Sequence, residues 1–258
     1  MPVSSPASDR LRGAQAAALA FGRLFFRYRD LLAPLAFAVT VAVTKPAPFA
    51  GRESADLLLD AVGVLLSLSG QALRVLVIGL AYIKRGGRRK TITADRLVCE
   101  GVFAHSRNPL YLGNILMVTG LLVIWNSPWA YLLVFSALLV AFLSVVRAEE
   151  RFLLGRFGAE YVEYCKRVPR FFPDFRGFRG TLAQFDFDWR RVIRKEYGTT
   201  FAWISVVVAL FVLEKVRWQG AAAAIPRVAI GADTWALAAV LWLTARWLKK
   251  THRIDSAE

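Results

Sequence analysis

The sequence is poor in the residues that bind transition metals or form covalent frameworks. Its 258 residues include two cysteines, Cys99 and Cys165, and two histidines, His105 and His252. Two cysteines cannot build a disulfide framework, and neither has a second cysteine or a histidine at metal-ligand spacing. A histidine zinc site, an H-E-x-x-H helix and a Ser-His-Asp triad are likewise unsupported. We therefore predict no metal site and no covalent nucleophile.

Acidic residues are also scarce. Asp and Glu number 19 against 34 Lys and Arg, which gives a formal charge of +15. Hydrophobic residues make up 56% of the chain, and the mean hydropathy is +0.43. These values exclude disorder and coiled coil, and they favour membrane helices joined by basic loops. A nucleic-acid binder could carry the same charge, but long uncharged stretches would serve no purpose in it, so we predict no nucleic-acid partner.

Six apolar stretches are candidates for crossing the bilayer. They are Leu31 to Thr44, Leu57 to Ile83, Tyr111 to Trp125, Pro128 to Val146, Thr199 to Val216 and Thr234 to Trp247. Of the 34 basic residues, 28 lie in alternate connecting segments and both termini or at the span edges next to them, and 5 lie in or next to the other connections. The positive-inside rule then places both termini in the cytosol. We predict an all-α integral membrane protein of about six transmembrane helices, in a bacterial-type cytoplasmic membrane, with its active site facing the cytosol.

The same pattern predicts four regions. They are a cytosolic N-terminal arm over 1–30, a membrane core over 31–173, an interfacial segment over 174–198, and two further helices with a tail over 199–258. Aromatic and basic residues interleave in the third region, as suits anionic lipid headgroups, although stacking on nucleic-acid bases is an alternative. The role of the last two helices and the oligomeric state stay open.

Arg74 lies well inside the second span. An ionisable residue at that depth is costly unless it faces a cavity or has a partner. Lys84 marks the start of the following basic loop about ten residues later, which at 1.5 Å per residue is farther than the Arg74 side chain reaches. We expect a functional role or a buried ion pair.

A first motif precedes the third span. Asn108 suits a helix N-cap and Pro109 the first helical position. A helix N-terminus attracts anions, and Arg107 beside it would strengthen the attraction. The alternative is simply a capped helix start.

A second motif follows the fourth span and reads as one amphipathic helix over 147–169. At 100° per residue, Glu150 shares an apolar face with Leu154, Phe157, Tyr161 and Tyr164. Glu149 points about 100° away, so the two carboxylates should contact different partners. The alternative is a solvated helix with charge pairs.

Together the two motifs resemble a known superfamily. The pattern Leu-Val-x-x-Gly-Val-Phe-x-x-x-Arg-Asn-Pro-x-Tyr-x-Gly is followed, after a helical hairpin, by Arg-x-Glu-Glu-x-x-Leu and Phe-Gly-x-x-Tyr-x-x-Tyr-x-x-x-Val-Pro. This order is similar to that of the isoprenylcysteine carboxyl methyltransferases and phospholipid N-methyltransferases, over about Gly70 to Pro173. In that superfamily the two motifs close over S-adenosylmethionine.

The resemblance implies roles for individual residues. The adenosine side would be lined by Leu97, Val98 and Phe103. The methionine portion would be held by Asn108, Pro109, Leu110 and Tyr111, with Arg107 near its carboxylate. Glu149 or Glu150 would bind a polar group of the cofactor, and Arg147 would lie toward the acceptor.

The chain departs from the isoprenylcysteine enzymes at one position, because Asn108 stands where they usually have His. An amide does not titrate, so it cannot accept a proton from the substrate. We expect a lipid or lipidated acceptor. Arg147 would orient a carboxylate acceptor, and Glu150 would take the proton from an amine acceptor.

Two other classes are weighed against the methyltransferase. A membrane reductase of the sterol-reductase kind would use NADPH, but the chain lacks the Trp-rich, Arg-His-Pro-Asn-Tyr type segment of those proteins. A transporter or non-catalytic membrane protein could use Arg74 and the broken cytosolic segments as a pathway.

Overall fold

The structure is a computed structural model that describes residues 20–47 (apart from 23, 26, 29–31 and 33), 53–80, 94, 96–184 and 186–254. Most of the predicted N-terminal arm and the basic loop over 81–93 lie outside these residues. Within them the chain forms helices and no strands.

From residue 34 onward, the described part of the chain forms eight helices. They are α1 (Pro34–Val43), α2 (Glu53–Leu80), α3 (Pro109–Trp125), α4 (Ser136–Phe157), α5 (Ala159–Arg167), α6 (Phe178–Gln184), α7 (Trp189–Gln219) and α8 (Ala221–Lys250). A 3₁₀ turn over Gly101–Ala104 precedes α3, and a π-helical turn over Ala130–Phe135 leads into α4.

Four stretches are long and apolar enough to cross a membrane. They are Ser54–Leu80, Ala130–Phe157, Trp189–Gln219 and Ala221–Lys250, and α1 and α3 are shorter apolar helices. Large apolar side chains are exposed along them, for example Leu58 on α2 and Leu237 on α8, as expected of surfaces that face lipid. The predicted all-α membrane fold is confirmed. The helix α7 begins ten residues before its predicted span, and α8 begins thirteen residues before its own. The spans were predicted from apolar runs, which end at the first charged residues, whereas a helix can continue through charged residues near its ends.

The six apolar helices run antiparallel from one to the next. At one end of the bundle, Ala47 after α1 donates its N–H to the carbonyl of Asn126 after α3, over 2.9 Å. At the other end, Asp188 before α7 donates its N–H to the carbonyl of Gly79 on α2, over 3.0 Å. We call the second the site end, because Asn108 and Glu149 lie there, and the first the acidic end, because Asp56, Asp60 and Glu214 lie there.

Small residues let α2 and α3 approach each other closely. A Cβ added at Gly120 would lie 2.2 Å from the Ser67 hydroxyl oxygen and 2.3 Å from the Gly63 carbonyl oxygen. The Ser67 hydroxyl donates to the Met117 carbonyl over 2.9 Å across the same contact. Close backbone approach through small residues is a common way for membrane helices to associate.

The described part of the N-terminal arm packs on the bundle. Phe25 is 7% exposed, and its ring lies edge-on to Phe142 of α4 at 6.4 Å between centroids. Tyr111 of α3 joins the same apolar cluster. Aromatic side chains of the arm thus contribute to the wall of the core.

The prediction of one continuous helix over 147–169 is wrong. Gly158 has φ +52°, a conformation that L side chains rarely adopt, and it separates α4 from α5. A single 100° periodicity therefore does not run from Glu150 to Tyr161. Both Tyr161 and Tyr164 are nevertheless buried, on a helix with its own direction.

Candidate functional site

A cavity of about 950 Å³ runs along the bundle between α1, α3, α4 and α7. Its polar lining at the site end is formed by Arg74, Asn108, Tyr111, Asn114 and Glu149. Most of its remaining wall is apolar and includes Phe25, Phe37, Phe103, Met117, Leu121, Leu138, Phe142, Trp203 and Leu210. Arg217, in the last turn of α7, lines the opposite end. A long, mostly apolar cavity whose polar groups lie mainly at one end suits an amphiphilic ligand.

Asn108 lies at the N-cap of α3 and Pro109 at its first position, as predicted. The Asn108 side chain does not cap the helix, however. Its Nδ2 donates to Glu150 over 3.4 Å and to the Arg170 carbonyl over 3.2 Å. The amide therefore connects the start of α3 to the second motif, because buried neighbours there offer it acceptors.

The two adjacent glutamates have different partners, which confirms the prediction from helical geometry. Glu149 lines the cavity and accepts a hydrogen bond from the Tyr111 hydroxyl over 2.8 Å. Among the described residues that line the cavity, Glu149 is the one carboxylate. One tyrosine hydroxyl leaves a carboxylate with unused acceptor sites, so Glu149 can also receive a cationic group.

Glu150 points instead into a cluster of cations. Arg170 contacts both of its carboxylate oxygens through Nε and Nη2, and Nη1 of Arg107 lies 3.4 Å from Oε1. Its side chain is 17% exposed. Burial lowers the pKa of Arg107, but the nearby Glu150, Cys165 and Tyr161 more than offset this, so its pKa is raised. The pKa of Tyr161 is raised as well, mainly by burial and next by Glu150. Arg107 therefore stays charged.

Hydrogen bonds hold the first motif against the segment that follows α5. Arg107 donates its N–H to the Pro169 carbonyl over 2.9 Å, and the Ser106 hydroxyl donates to the Phe171 carbonyl over 2.8 Å. The Tyr164 hydroxyl donates to the Phe103 carbonyl over 2.8 Å. We call these contacts the clasp. It joins residues more than 50 positions apart at the site end.

His105 extends the clasp. Its Nδ1 lies 2.6 Å from the Asp174 carbonyl oxygen and its Nε2 lies 2.8 Å from the Thr181 hydroxyl oxygen. His105 is 5% exposed and each of its ring nitrogens has a partner, so its role is to hold the surrounding segments together. The beginning of the predicted interfacial segment is thereby attached to the first motif.

Arg74 forms an ion pair, which was one of the two roles expected from its position inside the second span. Its guanidinium binds both carboxylate oxygens of Glu196 on α7, at 3.0 Å from Nε and 2.6 Å from Nη2, and Nη1 donates to Asn114. Gln71 donates to Glu196 over 3.3 Å. The Glu196 side chain is 4% exposed, so this is a buried ion pair at the edge of the cavity. No local pattern in the sequence connects positions 122 residues apart.

The structure brings about half of the predicted site residues to the cavity. The lining includes Phe103, Asn108, Pro109, Leu110, Tyr111 and Glu149. Val98 packs with Phe103, and Leu97 packs against the cluster around Tyr161. Arg147 is exposed on α4. Residues that the sequence did not indicate are Asn114, Phe142 and Arg170, which have no motif of their own.

Comparison with known proteins matches this core to a family. Residues 59–160 match the family described as phospholipid methyltransferase. They include α3, α4 and the first motif. This core is therefore similar to membrane methyltransferases.

Individual relatives match parts of the chain. Protein-S-isoprenylcysteine O-methyltransferase of Saccharomyces cerevisiae is 30% identical over 42% of this chain and 46% of that protein. Cobalt-zinc-cadmium resistance protein CzcN of Cupriavidus metallidurans is 35% identical over 33% of this chain and 39% of that protein. Delta(14)-sterol reductase TM7SF2 of Mus musculus is 33% identical over 31% of this chain and 19% of that protein.

The matches to these curated relatives span less than half of each relative's length. No solved structure matches the chain. The similarity to membrane methyltransferases is thus confined to the core around the cavity, and α7 and α8 lie outside the matched segment.

Proposed function

We propose that the chain transfers a methyl group from S-adenosylmethionine to a lipophilic acceptor at the membrane interface. The observation that carries the proposal is Glu149, held by Tyr111 at the polar end of an apolar cavity. The match of residues 59–160 to the phospholipid methyltransferase family supports methyl transfer as the reaction. The apolar cavity supports a lipophilic acceptor.

The lining residues fit the cofactor in charge and shape. S-adenosylmethionine, when bound, supplies a methyl group on a sulfonium, next to an ammonium and a carboxylate. Glu149 would hold a cationic group of the cofactor, and Asn108 would hold a polar atom of its methionine portion. Phe103 and Leu110 would supply an apolar wall for the adenosine, with Val98 behind Phe103. The clasp would exclude water from the reacting groups.

The acceptor would enter with its apolar part along α1 and α7 and its head at the site end. Trp203, Leu210 and Phe37 line that path. A methyl on a sulfonium already has a good leaving group, so the protein mainly has to align the acceptor with it. No covalent nucleophile is needed for this.

Two head groups fit, and they use different residues. A carboxylate head, as on a prenylated cysteine, would be oriented by Arg147, which is exposed on α4 two residues before Glu149. An amine head, as on a phospholipid, must first lose a proton. Glu150 could take that proton only after releasing Arg170, so the geometry favours Glu149 for this step.

The site would face the cytosol of a cell whose cytoplasmic membrane holds the chain. The basic residues of the sequence support this orientation, because most of them belong to the termini and to the connections at the site end. The core would then be 31–173, with 174–198 at the interface and 199–258 as an added helical pair.

Calorimetric titration of the purified protein in detergent tests the cofactor. We expect binding of S-adenosylmethionine and its demethylated product and no binding of NADPH. Binding of NADPH alone would favour the reductase, which the partial match to a sterol reductase makes the relevant competitor. Binding of neither compound would favour a transporter or another non-catalytic protein.

A labelling experiment tests the acceptor. Membranes containing the protein are incubated with methyl-labelled cofactor, and the extracted lipid is treated with mild alkali. Label released by alkali indicates a methyl ester, and label retained indicates a methylated amine. Label found only in small water-soluble products would exclude a lipophilic acceptor. Membranes without the protein are the control.

A further inference from the structure

Three buried carboxylates meet at the acidic end of the bundle. Asp56 and Asp60 lie one turn apart on α2, and Glu214 faces them from the last turns of α7. Their exposed fractions are 2%, 4% and 3%. One oxygen atom from each lies within 4.8 Å of one from each of the others. Three acids this close and this buried must either share protons or hold a cation between them.

Arg227 of α8 supplies part of that charge. Its Nη1 lies 3.1 Å from Oε2 of Glu214 and also donates to the Phe211 carbonyl over 3.1 Å. One guanidinium offsets one of three carboxylates. Arg227 contacts Glu214, so the carboxylates of Asp56 and Asp60 on α2 are farther from its guanidinium.

Asp60 gives an independent indication of a ligand. Its Oδ2 is buried and has no hydrogen-bond partner among the described residues, although its carboxylate takes part in the cluster. Buried polar atoms in proteins almost always have a partner. A buried carboxylate with an unpartnered oxygen, next to two other buried carboxylates, is the arrangement that a bound cation satisfies.

We propose that Asp56, Asp60 and Glu214 bind a divalent cation. The ligand set is oxygen only, which suits Ca²⁺, Mg²⁺ or Mn²⁺ better than soft metals. Ca²⁺–oxygen distances are about 2.3–2.6 Å, so the oxygens around one ion are at most about 5 Å apart, as they are here. Water would complete the coordination.

The three carboxylates do not line the cavity and are distant from its site end. Asp60 and Arg74 are 14 residues apart on α2, which at 1.5 Å per residue is about 21 Å. The cation would link the N-terminal half of α2 to the C-terminal end of α7. Its role is to hold these helices together, and it takes no part in the proposed reaction.

Sequence spacing could not reveal this site. The predicted absence of a metal site came from the scarcity of Cys and His. The carboxylates belong to helices more than 150 positions apart, and only the antiparallel packing of α2 and α7 brings them together.

Mn²⁺ is the probe that tests the proposal, because its electron paramagnetic resonance signal distinguishes free from bound ion. Titration into the purified full chain in detergent should show one bound Mn²⁺ per chain. Asp60→Asn should weaken binding by at least about tenfold, because affinity follows the number of charged ligands. Asp233→Asn removes an exposed carboxylate from α8 and should leave binding unchanged.

A second variant gives the opposite sign. Arg227→Gln removes the competing cation, so it should tighten Mn²⁺ binding. Added Ca²⁺ should raise the melting temperature of the wild-type protein and leave that of folded Asp60→Asn unchanged. Absence of Mn²⁺ binding to the wild-type chain, or equal binding by Asp60→Asn, would overturn the proposal and indicate that the acids share protons instead.

Discussion

Replacing each of the two adjacent glutamates with glutamine separates a ligand-binding role from a structural one. In Glu149→Gln the amide oxygen can still accept from the Tyr111 hydroxyl, so the local packing is kept while the charge is lost. A hydrogen bond to a charged group contributes about 1.5–3 kcal/mol. The affinity for S-adenosylmethionine should therefore fall roughly 10- to 150-fold. The melting temperature should change little.

Glu150→Gln should mainly lower the melting temperature and affect cofactor affinity less. It leaves Arg107 and Arg170 without their shared carboxylate in a position that is 17% exposed. A loss of about 1.5–3 kcal/mol from these ion pairs should lower the melting temperature by roughly 3–12 °C in a chain of this size. Cofactor affinity should fall less than in Glu149→Gln.

Titration calorimetry and thermal unfolding in the same detergent measure both quantities. Glu163→Gln is the matched control, because Glu163 lies on α5 in an exposed ion pair with Lys166, and it should change neither value. If Glu149→Gln binds the cofactor like the wild type while Glu150→Gln loses affinity at an unchanged melting temperature, the two roles are reversed.

Three further predictions concern the bundle. Cysteines introduced singly at the exposed positions Lys45 and Ala222, in a version without the native cysteines, should be labelled from outside intact cells, and protection at both would contradict six crossings. Gly120→Ala should lower the melting temperature by several degrees, because its Cβ would lie 2.2 Å from the nearest atom of α2; an unchanged value would mean that the helices separate freely. Arg74→Met should cost about 3–5 kcal/mol of unfolding free energy, and adding Glu196→Met should recover part of it in a double-mutant cycle; additive losses would refute the ion pair.

Local rules predicted the parts of the site that depend on neighbouring residues. The start of α3 at Pro109 follows from the preference of proline for the first helical position. The divergence of Glu149 and Glu150 follows from the 100° step between adjacent helical residues. Six apolar helices follow from hydropathy and length, which depend on composition alone.

What the sequence did not predict depends on contacts between distant segments. The prediction of a continuous helix through Gly158 was wrong, because a glycine within a helical pattern can either continue the helix or end it. The partner of Arg74 and the two arginine partners of Glu150 lie on elements whose packing had to be known first. The Asn108 side chain turns away from its cap because Glu150 and the Arg170 carbonyl are in reach, which only the folded chain reveals.

The ion pair between Arg74 and Glu196 has a consequence for modularity. Arg74 lies inside the segment that matches the phospholipid methyltransferase family, which ends at residue 160, and its counterion lies beyond that segment. A version of the chain cut before α7 would keep a guanidinium in the bilayer with no carboxylate to neutralise it. The C-terminal pair of helices therefore cannot be removed as an optional appendage unless Arg74 is first replaced by a neutral residue. A homologue that lacks these helices should have made that replacement in the course of its evolution.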